Sequence, residues 1–329
     1  MEVTFFLAGE RDLERLARVD PDRDWWEFQR GERAWVLQAY LRLARAGWPV
    51  RLAGTPPAAG VVVFHAKHER ELCAAGRALG DAVLVGVRAD NREPLAADFE
   101  IVQNGRFADG RRRFALPHWP QPGLLPRDPT RGSRLERAGY KGFDANLHPA
   151  LRAPAWRDFL AARGIEWVVD SVEFAGAATD ALPLDWPDYR TLDLVVAVRP
   201  PDRALWRSKP ASKLFNAWLA GVPALLGPEV AYRELRRSPL DYLEVASRAE
   251  AEAAVERLLA EPARYAAMVE NGRARAAEFT AGAILPRWAE LLFGTIPALA
   301  AGRRGRRLPL PMRRAARRLG RAATLRPAR

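Results

Sequence analysis

Short apolar runs alternate with helix-period segments along nearly all of this 329-residue chain, and the alternation breaks off only once in the interior. The runs of the first half are Val3 to Ala8, Pro49 to Ala53, Val61 to Phe64, Ala82 to Val87 and Phe99 to Val102. Runs so short and so uniformly apolar suit strands buried on both faces of a parallel sheet. Between them, Glu32 to Ala46 places Trp35, Val36, Ala39, Tyr40, Leu43 and Ala46 at a helical period, and Gly47 closes it. His68 to Leu79 reads as a second helix and holds the one cysteine, Cys73. This β-α-β order predicts a mostly parallel, doubly wound sheet. From Leu116 to Pro129 five prolines end the pattern. Proline fixes φ and removes an N–H donor, so the segment is a stiff, extended connector and the expected domain boundary. Beyond it come a helix at Leu151 to Ala162, strands at Ile165 to Val169, Leu192 to Val198, Ala224 to Leu226 and Tyr242 to Val245, then helices over Ala249 to Leu259, Pro262 to Phe279 and Ile284 to Leu292. The expected class is α/β, with domains at 1–128 and 129–294 and a tail at 295–329.

Charge is distributed unevenly. The net charge is +12, but Arg303 to Arg329 contains 11 arginines and no acidic residue, so everything before it carries +1. The positive charge belongs to the tail and not to the folded body. Its arginine pairs recur at roughly helical spacing, with Leu308, Leu310, Met312 and Leu319 among them. Three readings stand: an unstructured tail, a contact with an anionic membrane surface, or a nucleic-acid contact. The last is disfavoured because no aromatic residues interleave for base stacking. One cysteine rules out an internal disulfide framework and is compatible with a cytoplasmic location. Met1 to Gly9 lacks the basic start and length of a signal peptide, and no apolar run approaches the ~20 residues that span a bilayer.

Lysine is rare, four residues against 48 arginines, and two of the four stand together in Ser208-Lys209-Pro210-Ala211-Ser212-Lys213. The following residues predict a helix of about three turns, a tight turn at Gly221-Val222-Pro223 and the strand Ala224 to Leu226. An ammonium is a compact charge suited to phosphate, and a helix N-terminus adds free N–H groups. Lys209 and Lys213 are therefore candidate diphosphate ligands. Ser212 offers a hydroxyl donor.

This stretch resembles the donor-binding segment of GT-B glycosyltransferases. Lys213-Leu214-Phe215-Asn216-Ala217, then Ala220-Gly221-Val222-Pro223 and Leu226-Gly227-Pro228, is especially similar to fucosyltransferases. The resemblance implies two Rossmann-like domains facing a cleft, and a nucleoside-diphosphate sugar as donor substrate, with no cofactor and no metal. It implies a carbohydrate or lipid-linked acceptor, in surface polysaccharide or glycolipid synthesis, for a cytoplasmic and peripherally membrane-bound enzyme. Lys213 would contact the diphosphate and Glu229 the ribose hydroxyls, although Glu229 reads equally as a carboxylate at a helix start. Asn216 reads either as a phosphate or ribose contact or as a helix–loop tie. Retaining GT-B enzymes commonly carry two glutamates where this chain has Ser208 and Asn216, so the lysine pattern leans towards inversion. The rivals are a sugar-nucleotide epimerase or hydrolase on the same fold, and a scaffold protein without turnover.

An inverting reaction needs a base for the acceptor hydroxyl. His65, just past the Val61 to Phe64 run, is the candidate, against a loop or helix-cap role. Gln103 follows another strand and reads as a turn or a sugar contact. His118, Trp119 and Gln121 lie on the connector, which would border the acceptor cleft, and Trp119 reads as a stacking platform or a packed hinge. Arg127 and Asp128 read as a local ion pair. Asp20-Pro21-Asp22-Arg23-Asp24 matches D-x-D twice, but in a polar loop and not after a buried strand, so no metal site is expected there.

Overall fold

The computed structural model describes residues 1–172, 185–201, 208–302 and 310–324. The chain divides into two units. The first comprises residues 1–21, 30–117 and 284–329, and the second residues 22–29 and 118–283.

In the first unit, β1 (Val3–Phe6), β2 (Val50–Ala53), β3 (Val61–His65), β4 (Val83–Val87), β5 (Phe99–Val102) and β6 (Arg113–Ala115) form a sheet in the order β2-β1-β3-β4-β5-β6. Every pairing in it is parallel. The inner strands β1, β3, β4 and β5 are buried at every residue, as their continuous apolar runs require. The helix expected from Glu32 opens with π-type turns over Arg33–Leu37 and becomes regular over Gln38–Arg45.

The chain returns to this unit at its end. Trp288, fully buried, sits 6.5 Å from the Phe5 ring and 6.4 Å from the Trp35 ring, and Phe293 stacks on Trp48 at 4.7 Å. Residues 284–294, expected in the second domain, thus belong to the first, because their aromatic side chains complete its core. Tail residues 295–329 are not a separate region either. Ile296–Ala301 continues the helical run, and Leu310–Thr324 forms a further helix on this unit. Arg303 to Leu308 lie outside the described residues.

The second unit holds β7 (Arg137–Phe143), β8 (Glu166–Val172), β9 (Leu194–Ala197), β10 (Ala224–Leu226) and β11 (Leu243–Glu244), ordered β11-β10-β9-β7-β8 and all parallel. It takes in residues 22–29, expected in the first domain, and its main segment begins at His118 and not at residue 129. The connector is bound into it: Leu125 bridges to Asp188, the Arg127 amide donates to the Ala220 carbonyl at 2.9 Å, and Trp119 is fully buried. Arg127 does not pair with Asp128. Its guanidinium donates to Asp193 at 2.8 and 3.0 Å in a buried pair, while Asp128 caps a turn by accepting from the Thr130 amide.

Counting strands within each unit, both sheets have the order 2-1-3-4-5, with an added edge strand in the first. This doubly wound order has its switch point between strands one and three, where ligands bind beyond the carboxyl ends of the strands. The switch points lie at β1/β3 in the first unit and at β7/β9 in the second.

Candidate functional site

The Ser212–Ala220 helix is fixed along its buried face. Phe215 stacks on Phe279 at 5.2 Å, and Trp218 donates its indole N–H to the Asp241 carbonyl at 2.9 Å. Gly221 ends it in the left-handed conformation at φ +68°, and the Gly221 and Val222 amides close on Trp218 and Ala217 carbonyls. At the other end the N-cap residue is Ala211, which has no side-chain oxygen to cap the first-turn N–H groups.

Lys213 springs from this first turn and lies half-buried at the end of β7. Its ammonium donates to the Lys141 carbonyl and stands 5.4 Å from the centroid of the Tyr140 ring. The opening exists because residue 142 is glycine. A Cβ there would lie 3.0 Å from Lys213 Nζ and 2.9 Å from Tyr140 Oη, and φ is +149°, which L side chains rarely adopt. Loss of water, with help from the Arg199 and Lys141 charges, pushes the Lys213 pKa down to about 7. An arriving dianion would reverse that shift.

Across the switch point, Arg199 stands two residues past β9 and Glu229 three past β10. Arg199 Nη1 donates to Glu229 Oε2, with side chains only 9% and 6% exposed. Glu229 occupies the N-cap position of the Val230–Leu235 helix, yet its side chain does not cap it. Oε1 is buried with no hydrogen-bond partner among the described residues. Burial pushes the Glu229 carboxyl above its usual range, against the pull of Arg199 and of the Lys209 and Lys213 charges. An unpartnered buried acceptor is costly, so this oxygen is suited to a donor brought by a ligand.

The structure thus gathers Lys209, Lys213 and Glu229 at one strand-end cluster, with Ser212 at the first residue of the helix. Arg199, Lys141 and Gly142 join them, and sequence reasoning missed all three. Only Arg199-Pro200 carried a local signal, following the end of β9, whereas Lys141 and Gly142 lie within the last residues of β7. Asn216 plays the structural part, because its Oδ1 accepts from the Gln121 amide at 3.0 Å and ties the connector to the helix. Trp119, at 0% exposure, is a core residue and offers no face for stacking. Half-buried His118 places Nδ1 2.6 Å from the Trp119 carbonyl.

At the first unit's switch point, His65 ends β3 with 2% exposure. Its Nδ1 accepts from the Lys67 amide at 3.4 Å, and its Nε2 is buried without a hydrogen-bond partner among the described residues. A Cβ on Gly31 would lie 3.5 Å from that nitrogen. Burial pushes the His65 pKa down to about 4, with Glu32 pulling the other way. The surrounding charges pair off: Glu32 with Lys67 at 3.1 Å, and Glu10 with Arg33 at 2.7 Å. His68 accepts the Ala8 amide on Nδ1 at 3.3 Å. Gln103 is half-buried directly after β5. Asp20, of the D-x-D matches, pairs with Arg45 at 3.0 Å.

No protein-family model matches the chain, and no curated protein sequence does. Solved structures match over nearly its whole length. Sucrose-phosphate synthase from Thermosynechococcus elongatus superposes with a TM-score of 0.62 at 13% identity, covering 91% of this chain and 100% of that one. Anabaena HepE in complex with UDP and glucose gives 0.55 at 13% identity, covering 89% and 99%. HepE in complex with UDP-glucose gives 0.55 at 14% identity over the same shares.

Proposed function

We propose, on the premise that this chain carries the GT-B glycosyltransferase fold, that it moves a sugar from a nucleoside-diphosphate donor to a hydroxyl acceptor. The observation that carries this reading is the second unit's cluster: a desolvated ammonium beside an uncapped helix N-terminus, with an unpartnered carboxylate oxygen nearby. A diphosphate satisfies the first two groups and a ribose hydroxyl the third. That HepE is seen with UDP and UDP-glucose supports the same ligand class.

In this reading Lys213 and Lys209, with the first-turn amides, neutralise the departing diphosphate, and no metal is required. Glu229 Oε1 accepts from the ribose, and Arg199 holds that carboxylate in place. His65 is the base. With a pKa near 4 it is neutral at physiological pH, as a base must be, though a weak one. The acceptor is a carbohydrate or a lipid-linked sugar, in polysaccharide or glycolipid synthesis at a cytoplasmic membrane face.

A binding role without turnover is favoured by the burial of His65, which gives an acceptor hydroxyl little access. Two measurements separate these readings. Thermal stabilisation by UDP, GDP, ADP, dTDP and CMP tests the donor site: a shift with one diphosphate that vanishes in Lys213→Ala supports it, and an unchanged shift in that variant overturns it. Release of nucleoside diphosphate from the matching sugar nucleotide, dependent on added acceptor, then distinguishes a transferase from a hydrolase or a binder.

A further inference from the structure

The Leu310–Thr324 helix has its amphipathicity turned inside out. From Leu310 to Leu319, the partly buried residues are Leu310, Arg313, Arg314 and Arg317, at i, i+3, i+4 and i+7. Leu310 packs on the cluster of Phe6, Phe64 and Leu72, Arg313 ion-pairs with Asp98, and Arg317 donates to the Leu95 carbonyl at 2.6 Å. Met312, Ala315, Ala316 and Leu319 repeat the same spacing on the exposed side. Met312 at 56% and Leu319 at 73% are the most exposed large apolar residues among those described. A surface helix ordinarily turns its apolar stripe to the core. Here guanidinium groups fasten the helix to the protein, and the apolar stripe points outward.

We propose that this stripe is the contact by which the first unit sits on an anionic lipid surface, with Met312 and Leu319 entering the acyl boundary. Charge complementarity selects the occupant. The segment from Arg303 to Arg329 carries 11 arginines and no acidic residue, and only Arg313 and Arg317 make the docking contacts above. A helix of this kind lies in the plane of the interface, apolar residues inward and basic residues at the headgroups. A second copy would bring the same positive charge against it, and four side chains fall far short of the ~800 Å² per partner of a stable dimer. The proposal deepens the membrane part of the functional reading above and rests on it there only.

The test is co-sedimentation of the full chain with vesicles of phosphatidylcholine, alone or mixed three to one with phosphatidylserine. Wild type is expected on the mixed vesicles, with binding on pure phosphatidylcholine at least about tenfold weaker and with added salt releasing the bound chain. Met312→Asp with Leu319→Asp is expected to weaken binding by about tenfold or more. Both side chains are exposed, so circular dichroism and Tm should match wild type. Wild type ignoring mixed vesicles overturns the proposal. So does undiminished binding by the double variant, which would leave only unspecific charge. A lipid-free dimer in sedimentation velocity, abolished by the same variant, also overturns it, in favour of self-association. UDP-induced thermal shifts are read in parallel: a chain that binds nucleotide but not vesicles loses this proposal alone, and one that binds vesicles but no nucleotide loses the transferase reading alone.

Discussion

The two sheets share a strand order and a switch point, and they place opposite chemistry there. In the second unit cations gather, and among the described residues Lys213, Lys141 and Arg199 stand together beside the carboxylates Glu229 and Asp170. At the first unit's switch point Glu10 and Glu32 pair with Arg33 and Lys67, and buried His65 is held neutral. The fold therefore supplies a place and a direction, and the residues two or three past the strand ends decide whether that place attracts an anion.

The contrast can be broken most directly through its buried charge. Glu229→Ala removes the buried carboxylate that accepts from Arg199, and we expect unfolding free energy to fall by about 3–5 kcal/mol in urea titration. Lys67→Ala removes a partner 58% exposed but leaves the Glu32 carboxylate, 7% exposed, without that donor, and should cost less, about 1–3 kcal/mol. Equal losses would mean that the two strand-end clusters are not different in kind. Next in size, Lys213→Ala should weaken nucleoside-diphosphate binding by about 1.5–3 kcal/mol in calorimetry, while His65→Ala leaves it unchanged. If the histidine variant loses the nucleotide instead, the assignment of sites to units is reversed.

A smaller effect sharpens the comparison through pH. Lys213 has a folded pKa near 7 against 10.5 for a free lysine. The unfolded chain then binds more protons between these values, so this group makes the free protein more stable as pH rises from about 7 to about 10. A bound diphosphate favours the charged form, so nucleotide affinity should fall as pH climbs past 7, with proton uptake on binding seen across calorimetry buffers. His65 has the same sign in a lower window. Its folded pKa near 4 lies below the usual 6.5, so stability is full above 6.5 and is lost as pH falls towards 4. The smallest signal expected is spectroscopic: the His65 ring resonances should not titrate above pH 5 by NMR, and a midpoint near 6.5 would place the ring in water.

Much of the fold was legible because buried parallel strands write themselves as uniform apolar runs. The turn at Gly221 and the strand Ala224–Leu226 were legible from local chemistry alone. β7 was not. Its sequence, Arg137-Ala138-Gly139-Tyr140-Lys141-Gly142-Phe143, has no apolar run, because Gly139 must admit the Leu192 side chain, whose Cδ1 would lie 2.5 Å from a Cβ, and Gly142 must admit Lys213. Both glycines answer to residues more than 50 positions away, so no local window reveals them. Arg199 with Glu229, and Arg127 with Asp193, are likewise long-range pairs between single charged residues. The site's lysine could be picked out by its rarity in the sequence, but the groups that tune it could not.

The return of the last helices to the first sheet sets an order of assembly. A ribosome delivers β1 early, and Trp288, which covers Phe5 and Trp35, only after the whole second unit has emerged. Until then the first unit has its strands without part of its apolar cover. The second unit, nearly contiguous in sequence, can close first. The first sheet is thus the part of the protein that waits longest for its full apolar cover during synthesis.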